Sequence, residues 1–168
     1  MHSWIALAPS DRQYGGMSTE NLLTSRSLPI ALLRARERVM GPIRAMLSDV
    51  GITEQQWRVL RVLQETGPLD PTRIAEEACL LLPSLTRILQ KLNDKKLIRR
   101  KQDTSDRRKQ IIQIAPKGEA LIQANLVTSI AILEQIRDQM GPDRYDALLD
   151  LLNELDGSGI NASLQDQP

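Results

Sequence analysis

Aromatic side chains are nearly absent from this chain, which has two Trp, two Tyr and no Phe in 168 residues. Leu, Ile, Val and Ala must therefore build the core, a composition that suits packed helices. The single cysteine, Cys79, excludes an internal disulfide framework and fits a reducing compartment such as the cytoplasm. With no basic cluster or second thiol beside it, Cys79 is expected to be buried filler. No apolar run approaches the roughly 18 residues of a membrane span. The N-terminus lacks a basic stretch followed by an apolar core, so no secretory leader is expected. His2 stands alone, and no His/Cys/carboxylate cluster has metal-ligand spacing. There is no glycine-rich phosphate loop and no nucleophile motif. Neither a metal nor another cofactor is expected, and the sequence offers no basis for an enzyme.

What the chain does have is charge separated along its length. The net charge of +1 conceals ten Lys/Arg against three Asp between Arg87 and Lys109. Residues 116–168 carry three Lys/Arg against nine Asp/Glu, and residues 1–86 balance at nine against nine. A concentrated basic block beside an acidic remainder describes a polyanion site. Charge alone fits two solvated faces of opposite sign equally well.

The order of elements separates these readings. Residues 1–26 show no sustained period and read as a flexible arm, with Met17 as a candidate later start. Residues 28–48 have helical spacing, with Leu32, Arg36, Val39, Ile43 and Met46 or Leu47 on one stripe. Gly41-Pro42 is expected to kink or interrupt that helix. Thr53 with Gln56 three residues on predicts a capped helix through Trp57, Leu60 and Leu63, stopped by Thr66-Gly67-Pro68. Asp70-Pro71-Thr72 opens a short helix carrying Ile74, Ala75 and Ala78. Leu80, Leu81 and Leu82 form an apolar connector, and Pro83 starts a helix with Leu85, Ile88, Leu89 and Leu92 inward. Two short helices joined by a tight turn make a helix-turn-helix. Strands at 97–102 and 110–114 then flank the basic loop, a hairpin in the position of a wing. Pro116 begins a long helix with Leu121, Leu126 or Val127, Ile130, Leu133, Ile136 and Met140 on its apolar face. Gly141-Pro142-Asp143 leads into a last helix striped by Tyr145, Leu148, Leu149, Leu152 and Leu155. Residues 157–168 read as a frayed tail.

The expected fold class is therefore mainly α: a winged helix-turn-helix with a small β-hairpin wing and long N- and C-terminal dimerisation helices. A DNA-binding region spans 51–115, and a helical dimerisation region is made from 27–50 and 116–156. The apolar faces of the terminal helices exceed what a core of about 65 residues can cover, so a homodimer is expected. Its two-fold axis matches a palindromic operator in double-stranded DNA.

On the second helix of the pair, Ser84, Arg87 and Lys91 share one face, with Thr86 and Gln90 beside it. These side chains donate to phosphates and base edges, and the N-terminal part of such a helix reaches the bases. At the wing, Arg107, Arg108 and Lys109 can enter the minor groove or meet its phosphates. Asp103 and Asp106 either brace those arginines or simply favour the turn. Arg36 lies in the stripe with Leu32, Val39 and Ile43, where a charge needs a partner, either the carboxylate of a small ligand or an ion pair within or between subunits. Trp57 either walls such a ligand or fills the core. A protein-interaction module of winged-helix shape, with no DNA or ligand role, is the competing function. The basic block argues against it.

The motif "DTSDRRKQIIQIAPKGEAL" resembles the wing of the MarR family of transcriptional regulators, Asp-x-x-Asp-x-Arg followed by a strand and Leu-Thr-x-x-Gly. Ala115-Pro116 replaces the Leu-Thr, and Lys96 stands where a glycine commonly precedes the first wing strand. The resemblance covers about residues 28–155. "LLRARERVM", "TEQQWRVLRVL" and "ACLLLPSLTRILQKL" look like the subgroup that represses homoprotocatechuate (4-hydroxyphenylacetate) degradation operons. The resemblance implies a homodimeric repressor released by a phenolic or aromatic acid. It also implies that Ser84, Thr86 and Arg87 read the major groove and Arg107 and Arg108 the minor groove. Arg36 and Trp57 would lie near the effector crevice.

Overall fold

The structure is a computed structural model, and it describes residues 24, 26–102 and 110–157. These residues fall into two compact units divided between Met40 and Gly41. In chain order the elements are α1 (Leu28–Asp49), α2 (Glu54–Thr66), α3 (Pro71–Glu77), α4 (Leu82–Asp94), β1 (Ile98–Gln102), β2 (Gln110–Ile114), α5 (Pro116–Met140) and α6 (Pro142–Gly157).

Local side-chain chemistry explains most of the boundaries. Thr53 accepts from the Gln56 N–H at 3.2 Å, and the Gln56 side chain accepts from the Thr53 N–H at 3.2 Å, closing the expected capping box on α2. The Asp70 carboxylate accepts from the N–H groups of Thr72 and Arg73 at the start of α3. Neither α4 nor α5 has a side-chain cap; each begins with a proline in its first turn, whose missing N–H needs no partner. The cap position of α5 is Ala115 itself, three residues before Gly118.

Of the two outcomes expected at Gly41-Pro42, a kink or an interruption, α1 shows no interruption and runs through Pro42 from Leu28 to Asp49. Gly41 carries no Cβ for the proline ring to meet. The turn beyond the proline is held by burial of Ile43 and Leu47.

Three helices end in the same way. After α1, the Gly51 N–H donates to Ser48 O and the Ile52 N–H to Leu47 O, with Gly51 at φ 65. After α3, Cys79 and Leu80 donate to Glu76 O and Ala75 O, with Cys79 at φ 49. After α4, Lys96 and Leu97 donate to Asn93 O and Leu92 O, with Lys96 at φ 60. Each is a Schellman motif, whose left-handed residue favours glycine. The expectation of a buried Cys79 is therefore corrected: its thiol is exposed. The left-handed turn residue is Cys79, while Ala78 before it is fully buried.

β1 and β2 pair antiparallel, with Ile98 opposite Ile114 and Gln102 opposite Gln110. Leu69 and Ile112 exchange backbone hydrogen bonds at 3.0 and 2.8 Å, so β2 lies between β1 and this one-residue bridge. The core gathers Leu47, Leu60, Leu63, Ile74, Leu85, Leu92, Leu97, Ile112 and Ile122, each almost entirely out of solvent. On α5 the buried positions are Gly118 and Ile122, Leu121 being half-buried, and past Ile122 no described residue of α5 or α6 is buried.

Candidate nucleic-acid interface

α4 turns Leu85, Ile88, Leu89 and Leu92 to the core, which leaves Ser84, Thr86, Arg87 and Lys91 exposed, as expected. Their hydrogen-bonding states differ. The Thr86 hydroxyl donates to Leu82 O at 3.2 Å and so has only acceptor capacity left for a partner. Gln90 donates to Asp94 at 2.8 Å, which ties it along the helix. Arg87 and Lys91 form no salt bridge with any described residue, whereas arginines elsewhere are engaged: Arg58 and Arg44 with Glu54, Arg61 with Glu65, Arg73 with Glu76 and Glu77, Arg137 with Asp146. The bond from Arg137 to Asp146 raises the arginine's pKa further above its usual value. Cations left without carboxylates on one helix face are what a polyanion requires, since intramolecular pairs would first have to be broken.

The hairpin extends this basic surface. Arg99 and Lys101 are exposed on β1, while Arg100 is half-buried opposite Ile112. The Arg100 Nε and Nη2 are shut off from solvent without a hydrogen-bond partner among the described residues. Lys96, Arg99, Arg100, Lys101 and Lys117 line a cleft of about 730 Å³ at the base of the wing, with no carboxylate among the described lining residues. Asp103, Asp106, Arg107, Arg108 and Lys109 lie outside the described residues.

The two residues assigned to an effector occupy different environments. Trp57 is buried on α2, at 8% exposure. Arg36 is exposed and pairs with Glu37 at 3.2 Å, an intrachain ion pair, which is one of the two partners expected for its charge. A second cleft, of about 550 Å³, is lined by Leu63, Gln64, Gln113, Glu119 and Gln123 among others. Its carboxylate opposes an anionic ligand.

Relatives share this arrangement. Residues 52–109, which hold α2 to β1, match the MarR family. The homoprotocatechuate degradative operon repressor of Escherichia coli is 36% identical over 84% of this chain and 95% of its own. The chain belongs to the MarR family. A second relative, the HTH-type transcriptional regulator FarR of Neisseria gonorrhoeae, is 36% identical over 77% of this chain and 88% of its own. The crystal structure of NadR in complex with 4-hydroxyphenylacetate superposes with a TM-score of 0.71 at 35% identity, covering 82% of this chain and 99% of NadR. As a MarR-family member the protein is a DNA-binding transcriptional regulator and not an enzyme. Among the described residues no helix is long and apolar enough to cross a membrane.

The sequence reading missed the bridge at Leu69 and the exposure of Leu81 and Leu82. Neither had a local signal: the first is a one-residue strand between Pro68 and Asp70, the second an apolar run that reads as core.

Proposed function

We propose that the protein is a homodimeric repressor of an aromatic-acid catabolic operon, binding a palindromic duplex and released by a phenolic or aromatic carboxylate. The observation that carries the DNA reading is the outward face of α4, where Ser84, Arg87 and Lys91 are exposed and the two cations have no carboxylate partner among the described residues. Ser84, Thr86 and Arg87 contact base edges, and Lys91 meets phosphate. At the wing, Arg107, Arg108 and Lys109 reach the minor groove and its phosphates, with Asp103 and Asp106 bracing the arginines. The protein works in the cytoplasm, where its DNA is.

The dimerisation region is assigned to 27–50 and 116–156. Support comes from apolar side chains left open: Leu28, Leu32 and Leu33 at the start of α1, and Val127, Ile130, Leu148, Leu149, Leu151 and Leu155 on α5 and α6. Covering such a face contributes about 25 cal/mol per Å² of apolar area. A two-fold pair then presents its recognition helices about 34 Å apart, one turn of DNA.

The effector class follows the relatives: one represses a homoprotocatechuate operon and another was crystallised with 4-hydroxyphenylacetate. Trp57 supplies an aromatic wall. The Arg36 pair with Glu37 is exposed, and such pairs contribute about 0–1 kcal/mol. A fluorescence-anisotropy titration against random duplex tests the DNA reading. Tight binding at low salt, lost steeply as salt rises, is expected; no binding, or binding indifferent to salt, favours the interaction-module alternative. A panel of hydroxylated phenylacetates and benzoates tests the effector: one or more should raise the melting temperature and release DNA. If none does either, the effector assignment fails.

A further inference from the structure

The turn between α3 and α4 exposes an apolar side chain where the polar contacts of α4 begin. Leu81 is 77% exposed, the next residue, Leu82, 47%. Single exposed leucines are ordinary on protein surfaces; the place of this one is not. Leu81 is the N-cap residue of α4, with extended backbone at φ −72 and ψ 136. Its carbonyl accepts the Leu85 N–H at 3.0 Å, the first bond of the helix, so its backbone is held. Ser84 lies in the first turn of the same helix and Arg87 one turn further along. The nearest carboxylate before it in sequence, Glu77, is occupied by Arg73 at 3.0 Å.

We propose that Leu81 is a sequence-reading residue that packs against the C5-methyl group of a thymine in each half-site. The inference rests on the DNA-reading role of α4 and adds to it a residue and the base it selects. A leucine can neither donate nor accept a hydrogen bond, so phosphates and polar base edges offer it nothing. In the major groove the one apolar group of the four bases is the thymine methyl. The N-terminal residues of a recognition helix are those that approach base edges, and Leu81 stands at that end.

The test uses the full chain and a duplex selected by it from a random pool. Each dT is replaced in turn by deoxyuridine, which removes the methyl and leaves the pairing edge intact. One position per half-site should weaken wild-type binding about fourfold, the equivalent of burying roughly one methyl group. Leu81→Ala, which removes the contact from both half-sites, should bind the thymine duplex about sixteenfold more weakly and be indifferent to deoxyuridine at that position, while Arg87→Ala keeps the sensitivity. An unchanged melting temperature and elution volume for Leu81→Ala confirm that fold and oligomeric state are intact. The proposal is overturned if deoxyuridine has no effect anywhere on wild-type binding, or if Leu81→Ala retains the full effect. A change of oligomeric state in Leu81→Ala also overturns it, by placing the side chain at a subunit contact. If the wild type selects no duplex at all, the DNA-reading role of α4 itself fails, and this inference with it.

Discussion

Gly118 sits against the backbone of Leu97: a Cβ on it would come 2.3 Å from the Leu97 carbonyl oxygen and 2.9 Å from Ile114 Cγ1. The same carbonyl accepts the Ala115 N–H at 3.0 Å, so the end of α4, the wing strands and the start of α5 converge on one backbone group. Gly118→Ala must push these apart. We expect a loss of about 1–3 kcal/mol, the range for overpacking a core, read as a lower denaturant midpoint. An unchanged midpoint would contradict the packing described.

Lys96 occupies the left-handed position after α4 at φ 60, where a side chain costs about 1–2 kcal/mol relative to glycine. The gain from Lys96→Gly is reduced by the extra freedom glycine has when unfolded. A net stabilisation of about 0.5–1 kcal/mol is the expected outcome of chemical denaturation. Destabilisation would mean that contacts of the Lys96 side chain outweigh its backbone strain.

The bracing role proposed for the wing aspartates makes a prediction opposite to simple charge counting. Asp106→Asn makes the protein more positive, yet it should weaken operator binding severalfold in a gel-shift titration by freeing Arg107 and Arg108. Tighter binding would show that the brace does not exist.

Leu149 is 44% exposed on α6 and belongs to the face assigned to the second copy. Leu149→Glu should shift the protein toward monomer in sedimentation velocity and lower operator affinity with it. A variant that stays a dimer, or a wild type that is monomeric, would remove the dimer assignment.

The fold was legible where side-chain chemistry acts within a few residues. The Thr53–Gln56 box, the Asp70 cap and the alternation at Ile112 and Ile114 each carry their reason locally. The positions that misled depend on contacts distant in sequence. Cys79 lies between Ala78 and three leucines and reads as filler, but a Schellman turn places it outside. Arg36 sits at a helical spacing that suggests burial, whereas no described residue before Gly41 is buried. Pro42 reads as a kink or an interruption, and α1 continues through it because Gly41 lacks a Cβ and Ile43 and Leu47 are buried just beyond. Ser84, Thr86, Arg87 and Lys91 could be placed from spacing alone because the four buried positions of α4 define its outward face. Leu81 could not, because an exposed leucine and a core leucine are the same letter.

The central claim is that the outward face of α4 reads DNA, and Arg87 tests it most directly. Fluorescence anisotropy with a duplex selected by the wild-type chain should show Arg87→Ala binding more weakly by about 1–3 kcal/mol, with specificity relaxed at one position of each half-site. Arg87→Ala binding that duplex as tightly and as selectively as the wild type would contradict the account.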